Sequence, residues 1–292
     1  MKTGIVGVGI MGSAIARNLI AAGLPVIGFD IAPRRQSELA AMGGEAAPSA
    51  AAVAAGADII LTSLPSIAAF EETAAAIRAH GAKGTVVAEL STLPIAVKER
   101  HRAALAEAGI TLLDCPLSGT GAQAVNRDVV VYASGERAAF ERCAKVFAGF
   151  ARLSHYLGAF GNGSRMKFVA NLLVAIHNVA TAEAMVLGIK AGLASEDIVK
   201  VIASGAGTSR VFELRAPLMA KGEYQPPSMK IDIWQKDMAV IGDFAKSLGV
   251  ALPLFSATVP IYDAAVEKGL GNDDTAAVCA VLEAMAGIER NR

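Results

Sequence analysis

The sequence has few of the residues that metal or redox chemistry needs. It holds only three cysteines, Cys115, Cys143 and Cys279, far apart and with no CxxC pair. That spacing excludes a cysteine-rich metal site and a disulfide framework, and it leads us to expect reduced thiols and a cytoplasmic protein. The four histidines, His80, His101, His155 and His177, are scattered and show no metal-ligand spacing. An excess of charge is missing as well, since 27 Lys and Arg balance 27 Asp and Glu. A neutral chain has no general attraction for nucleic acid or for an anionic membrane. No basic segment followed by a long apolar one opens the chain, so no signal peptide is expected. Internal repeats and low-complexity tails are not found. The most apolar long run, residues 168–193, carries His177, Glu183 and Lys190, and it reads as a buried helix instead of a membrane span. On that helix His177 reads as a core or interface residue.

Hydrophobic residues are plentiful, 53% of 292, enough for a large core or two ordinary domains. They follow two patterns. Up to about Phe160, short β-rich runs alternate with alanine-rich helical stretches. The runs are residues 2–6, 25–29, 59–63, 85–89, 111–114, 129–133 and 153–156. Their spacing suits βα units, and their apolar character suits a parallel sheet covered on both faces. After "GAFGNGS" the strand-like runs stop. Helices are expected over 165–191, 195–204, 210–219, 231–248, 254–268 and 275–288. Ser195 is the expected N-cap of the second of these, with acids in its first turn, and Gly249 the stop of the fourth. The expected fold is α/β, with a doubly wound sheet domain over residues 1–161 followed by an all-helical domain over 162–292.

The first βα turn carries the most specific signal. Gly7-Val8-Gly9-Ile10-Met11-Gly12 fits GxGxxG between a strand and a helix. Glycines there allow a tight turn and a close approach of pyrophosphate to the free N–H groups of the helix. An acid, Asp30, ends the second strand at the distance expected of a ribose-binding carboxylate. A 2′-phosphate at that point would meet a like charge, so NAD is expected in preference to NADP. Arg34 and Arg35 leave NADP open, because a guanidinium can bind a phosphate.

Further along, Lys167 and Asn171 are four residues apart, hence one turn apart on one helix face. A lysine can exchange the proton of a substrate hydroxyl, because burial tunes its proton affinity. From spacing alone, a solvated lysine is the stronger reading. The turn Ser118-Gly119-Thr120 offers backbone N–H groups and a hydroxyl suited to a carboxylate, or is an ordinary polar turn. Cys115 reads as a packed thiol.

Taken together, "GVGIMGSAIARNL", "SLP", "STLP", "DCPLSGTGAQA", "GNGSRMKFVANLL" and "KIDIWQKDM" resemble, in order and approximate spacing, the motifs of the β-hydroxyacid dehydrogenases. That group includes the 3-hydroxyisobutyrate and tartronate-semialdehyde enzymes. The resemblance implies a Rossmann-type domain, a helical domain and an active site in the cleft between them. It implies hydride transfer between NAD(P) and a small β-hydroxyacid or its semialdehyde or keto acid. By resemblance Lys167 is the catalytic lysine and Asn171 positions the substrate. Ser118, Gly119 and Thr120 bind it as well, although the family usually has a second glycine where Thr120 stands. The cofactor would meet Gly7, Gly9, Ile10, Met11, Gly12, Asp30, Leu64, Pro65 and Thr92, with Lys236 reaching cofactor or substrate. Asp237 reads as structural. A homodimer or homotetramer is implied, with no metal. An imine reductase would usually lack a lysine at the position of Lys167. The larger helical domain of 6-phosphogluconate dehydrogenase does not fit after Phe160, and a non-catalytic NAD(P) sensor would not need Lys167, Ser118 and Asn171 together.

Overall fold

A computed structural model describes residues 1–289. The chain divides into two compact units, residues 1–167 and residues from Phe168 onward.

In the first unit strands and helices alternate. The strands are β1 (Thr3–Val6), β2 (Val26–Phe29), β3 (Glu45–Ala46), β4 (Ile59–Thr62), β5 (Val86–Glu89) and β6 (Thr111–Asp114). Between them run α1 (Ile10–Ala21), α2 (Pro33–Ala41), α3 (Ala50–Gly56), α4 (Ile67–His80) and α5 (Ile95–Glu107). All pairings are parallel, in the order β3-β2-β1-β4-β5-β6. This is the doubly wound arrangement expected from the alternating pattern. Every residue of β1, β4 and β5 is buried, as continuous apolar runs covered on both faces require. Serine caps set helix starts where the sequence changes from strand to alanine. Ser49 accepts the N–H of Ala52, and Ser66 that of Ala69.

The chain continues as β7 (Leu117–Ser118), α6 (Gly121–Val125), β8 (Val130–Ala133), α7 (Arg137–Phe150) and β9 (Leu153–Tyr156). Here the structure differs from the expectation. The runs at 129–133 and 153–156 do not extend the large sheet but form a separate three-stranded one, antiparallel at β7–β8 and parallel at β8–β9. The reason lies in burial. Along β9 exposed and half-buried residues alternate, with Leu153 47% exposed, so it does not need cover on both faces. Strands β3 and β7 have two residues each, too short for any periodicity to announce them.

The second unit is helical: the greater part of α8 (Asn162–Lys190), then α9 (Ser195–Ala203), α10 (Arg210–Lys221), α11 (Ile231–Ser247) and α12 (Pro253–Glu267). A 3-10 turn (Thr275–Ala277) leads into α13 (Val278–Met285). Helix α8 has 29 residues and is about 43 Å long at ~1.5 Å per residue. By length and composition it could cross a membrane, and 39% of its most apolar window is buried within the protein. Val169, Leu173 and Leu187 are exposed on it, so only part of the expected buried helix is covered by this chain. Ser195 is not the N-cap of α9. Ala194 holds that place, and the Ser195 hydroxyl donates to the carbonyl of Ala220. Glu196 and Asp197 do occupy the first turn. Gly249, at φ 67°, follows α11 in the left-handed conformation that stops a helix.

One feature of the first unit is not visible in the pattern. Glu89 and Asp114 end neighbouring strands in direct register, both fully buried. Two carboxylates side by side out of water repel, and Lys98 of α5 resolves this. Its ammonium lies 2.5 Å from Glu89 Oε2 and 2.8 Å from Asp114 Oδ1, itself fully buried. Burial alone would push the Lys98 pKa down, but Asp114 and Glu89 outweigh it and hold it above the ordinary lysine range. Lys98→Met would strand two buried charges. Its unfolding free energy should fall by about 3–5 kcal/mol in urea denaturation. A loss no larger than the ~1 kcal/mol of a surface pair would show that the cluster does not hold these strands together.

Candidate active site

The glycine turn shows that its three glycines serve two different ends. Gly7 has φ 91°, and a Cβ there would stand 2.2 Å from the carbonyl oxygen of Ser63. At Gly12 a Cβ would stand 2.0 Å from the Gly7 oxygen. Both positions are closed by backbone. Gly9 is the opposite case, for a Cβ there would meet nothing within 4 Å. It is the N-cap of α1, which has no side-chain cap and no acid in its first turn. The first N–H groups of α1 therefore open onto a space left clear by the missing side chain. These residues fit the pyrophosphate of a dinucleotide. Ile10 is exposed at the helix start and Met11 packs against the core.

Asp30 follows β2. Its Oδ2 accepts the N–H of Val8 at 2.8 Å and its Oδ1 that of Ala32 at 2.9 Å. The carboxylate thus ties the glycine turn to the end of β2 and keeps acceptor capacity for sugar hydroxyls. Arg34 and Arg35 lie in the first turn of α2, and both pair with Glu38, at 2.8 and 2.9 Å. Those pairings hold the Glu38 pKa below the usual carboxylate range.

Leu64 and Pro65 follow β4, and Thr92 follows β5. The Leu64 N–H donates to Ser91 Oγ at 2.8 Å, which joins the two loops. Since β2, β1, β4 and β5 are parallel neighbours, their C-terminal ends gather the glycine turn, Asp30, Leu64, Pro65 and Thr92 along one sheet edge.

Ser118 ends β7. Gly119 has φ 130°, and a Cβ there would be 2.8 Å from Val129, so glycine is required. Thr120 is the N-cap of α6, with its N–H 3.1 Å and its hydroxyl 3.4 Å from Gln123 Oε1. Cys115 is fully buried, and desolvation raises its pKa well above the ordinary thiol value. Burial likewise pushes Cys143 up to about 12, and none of the three cysteines forms a disulfide.

Lys167 (8% exposed) and Asn171 (4%) both lie on the continuous helix α8, one turn apart. In the second unit Asn171 Nδ2 donates to Asp237 Oδ2 at 3.0 Å, and Asp237 Oδ1 takes an ion pair from Lys236 at 2.7 Å. Asp237 therefore does more than the sequence suggests, because it orients the two expected site residues of this unit. The QKD spacing was its only signal. An open, largely apolar groove of about 620 Å³ lies elsewhere, between α8 and α13, lined by Leu187, Leu282 and Met285 among others. Among the described residues, no group of three or more His, Cys, Asp or Glu side chains is placed to hold a metal ion.

Comparison with known proteins agrees with this architecture. Residues 2–158 match the family model described as the NAD binding domain of 6-phosphogluconate dehydrogenase. Residues 161–282 match that described as NAD-binding of NADP-dependent 3-hydroxyisobutyrate dehydrogenase. An L-threonate dehydrogenase of Cupriavidus necator is 34% identical, covering 98% of this chain and 96% of its own length. A 2-(hydroxymethyl)glutarate dehydrogenase of Eubacterium barkeri is 30% identical, covering 99% and 97%. Among solved structures, a 3-hydroxyisobutyrate dehydrogenase from Salmonella typhimurium has a TM-score of 0.89 at 32% identity, covering 96% of this chain and 99% of that one. With the glycine turn, the Rossmann-type sheet and the helical second unit, these matches establish that the chain belongs to the β-hydroxyacid dehydrogenase family, NAD(P)-dependent oxidoreductases.

Proposed function

We propose that the enzyme interconverts a small β-hydroxyacid and its semialdehyde or keto acid, with Lys167 exchanging the hydroxyl proton. The observation that carries this reading is the placing of Lys167 and Asn171, both buried, one turn apart on one helix. The names of the similar proteins supply the substrate class: L-threonate, 2-(hydroxymethyl)glutarate and 3-hydroxyisobutyrate each combine a carboxylate with a hydroxyl. When bound, the nicotinamide accepts a hydride in oxidation and supplies one in reduction.

The chain's own residues do the rest. Neutral Lys167 takes the proton of the substrate hydroxyl during oxidation, and its ammonium returns one during reduction. Asn171 gives one N–H to Asp237, which fixes its amide and leaves Oδ1 and the second N–H for substrate. Ser118 and Gly119 bind the carboxylate. Thr120 directs its N–H and hydroxyl to Gln123, so it shapes this turn, and through its methyl group it restricts the substrate. Lys236 supplies positive charge to cofactor or substrate. We assign cofactor binding to residues 1–161, and substrate and subunit contacts to 162–292.

The exposed Val169, Leu173 and Leu187 on α8 support a homodimer or homotetramer built on that helix. With its apolar face covered by a second copy, α8 has no need of a membrane. Buried cysteines without disulfides support a cytoplasmic location, and balanced charge supports an enzyme with no nucleic-acid partner.

For the cofactor we propose NAD over NADP. Asp30 stands at the ribose position, and Glu38 already holds Arg34 and Arg35.

The reading is tested by absorbance at the NADH band with L-threonate, 2-(hydroxymethyl)glutarate and 3-hydroxyisobutyrate, each with NAD and NADP. At least one should turn over. Lys167→Ala should lower kcat ~10²–10⁴-fold while cofactor affinity changes little. Wild-type turnover in that variant would remove Lys167 from the chemistry, and no turnover with any hydroxyacid would favour a sensor.

The same assay tests Asp30. Wild type should have the higher kcat/KM with NAD. Asp30→Ser should move the NAD/NADP ratio toward NADP by roughly fivefold, the worth of one like-charge contact of ~1 kcal/mol. An unmoved ratio would mean that another residue sets the preference.

A further inference from the structure

We propose that Asp114 is a positioning residue for the reaction, and that it sets Lys167 by gripping the first turn of α8. The proposal rests on the assignment of Lys167 as the proton-exchanging group.

The grip consists of four contacts to one carboxylate. Asp114 Oδ2 accepts the backbone N–H of Ser164 at 2.7 Å and the hydroxyl of Ser134 at 3.2 Å. Asp114 Oδ1 accepts the Ser164 hydroxyl at 2.7 Å and the Lys98 ammonium at 2.8 Å. The N–H of Gly163 goes to Ser134 Oγ at 2.9 Å. Helix α8 begins at Asn162, so these are N–H groups of its first turn, which have no partner within the helix. They are satisfied from β6 and from the end of β8. A carboxylate at this end also meets the positive end of the helix dipole.

A separate observation shows how closely the turn is held. A Cβ at Gly163 would stand 2.3 Å from the Tyr132 oxygen and 2.6 Å from the Asp114 oxygen. The helix start is seated on the backbone of β6 and β8 with no room for one methyl group. Lys167 follows Ser164 by three residues, on the same face and one turn on. Any shift of the Ser164 turn becomes a shift of Lys167.

The cluster also reaches the cofactor side. Lys98 donates to the Ser91 carbonyl, Glu89 accepts the Ser91 N–H, and Ser91 Oγ accepts the Leu64 N–H. One buried set of charges thus braces the loops of Leu64 and Thr92 together with the helix that carries Lys167. Buried ion pairs seldom stabilise more than apolar residues of the same volume would. Geometric precision is what this one supplies.

The test is a double-mutant cycle between Asp114→Asn and Lys167→Ala, read as kcat and as the KM for NAD, with the best hydroxyacid of the panel as the probe. Asparagine keeps the shape and weakens the grip. Asp114→Asn alone should lower kcat on the order of 10²-fold, the effect of a misplacement near 1 Å, with the KM for NAD within about twofold. In the Lys167→Ala background the same change should have no further effect on kcat. Urea denaturation checks that the variants are folded. If Asp114→Asn does not fold, Ser164→Ala carries the same cycle, with a loss of roughly tenfold in kcat expected from the missing hydroxyl contacts to Asp114 and Lys98. Losses that multiply in the double variant overturn the proposal and leave the Lys167 assignment standing. So does a rise in KM at unchanged kcat. Wild-type turnover in Lys167→Ala alone overturns both.

Discussion

The structure depends on a buried ammonium between two buried carboxylates. Glu89 and Asp114 stand in register at the ends of β5 and β6, and the Lys98 ammonium lies between them. Charges taken out of water each lose several kcal/mol of solvation, which returns only when geometry and hydrogen bonds are nearly complete. Lys98 pairs with Glu89 and donates to Asp114, the Ser91 carbonyl and Ser164. That requirement fixes α5, two strand ends, a cofactor-side loop and the start of α8 relative to each other. The first unit therefore presents its functional loops from a braced edge.

The glycine turn obeys a second constraint, contact between backbones. Gly7 and Gly12 admit no side chain because carbonyl oxygens occupy the space, whereas Gly9 faces open space. A motif written as three equal glycines is physically two packing positions and one open position. Asp30 connects the turn to β2 through the Val8 N–H. The shape of the turn and the end of β2 are thereby coupled in one carboxylate.

Much of this was legible because it rests on local pattern. Of the seven expected strands, those at 111–114 and 153–156 match at both ends and the other five within a residue, since apolar runs next to turn residues mark them. The glycine turn and Asp30 were legible for the same reason. The second sheet was not, because one of the two partners of β8 is the two-residue β7, which has no period to read. Lys98 was missed for a different cause. In "VKERHRA" it looks like one of several charges on a solvated helix face, and only the fold shows that it alone turns inward. A signal did exist, in that two apolar strands each end in an acid, at Glu89 and Asp114. Side-by-side acids in a buried sheet demand a cation. Asp237 shows the same limit, for its link to Asn171 spans 66 positions of sequence and no spacing rule reaches that far.

The central claim is direct hydride transfer between a hydroxyacid and the nicotinamide, and the most direct measurement follows the hydrogen itself. The hydroxyacid selected by the panel, deuterated at its carbinol carbon, is incubated with the enzyme and the preferred nicotinamide cofactor in ordinary water. Proton NMR of the reduced cofactor should then show one deuterium at C4 of the nicotinamide for each turnover. Reduced cofactor carrying only protium at C4, with the label released to water, would contradict the account.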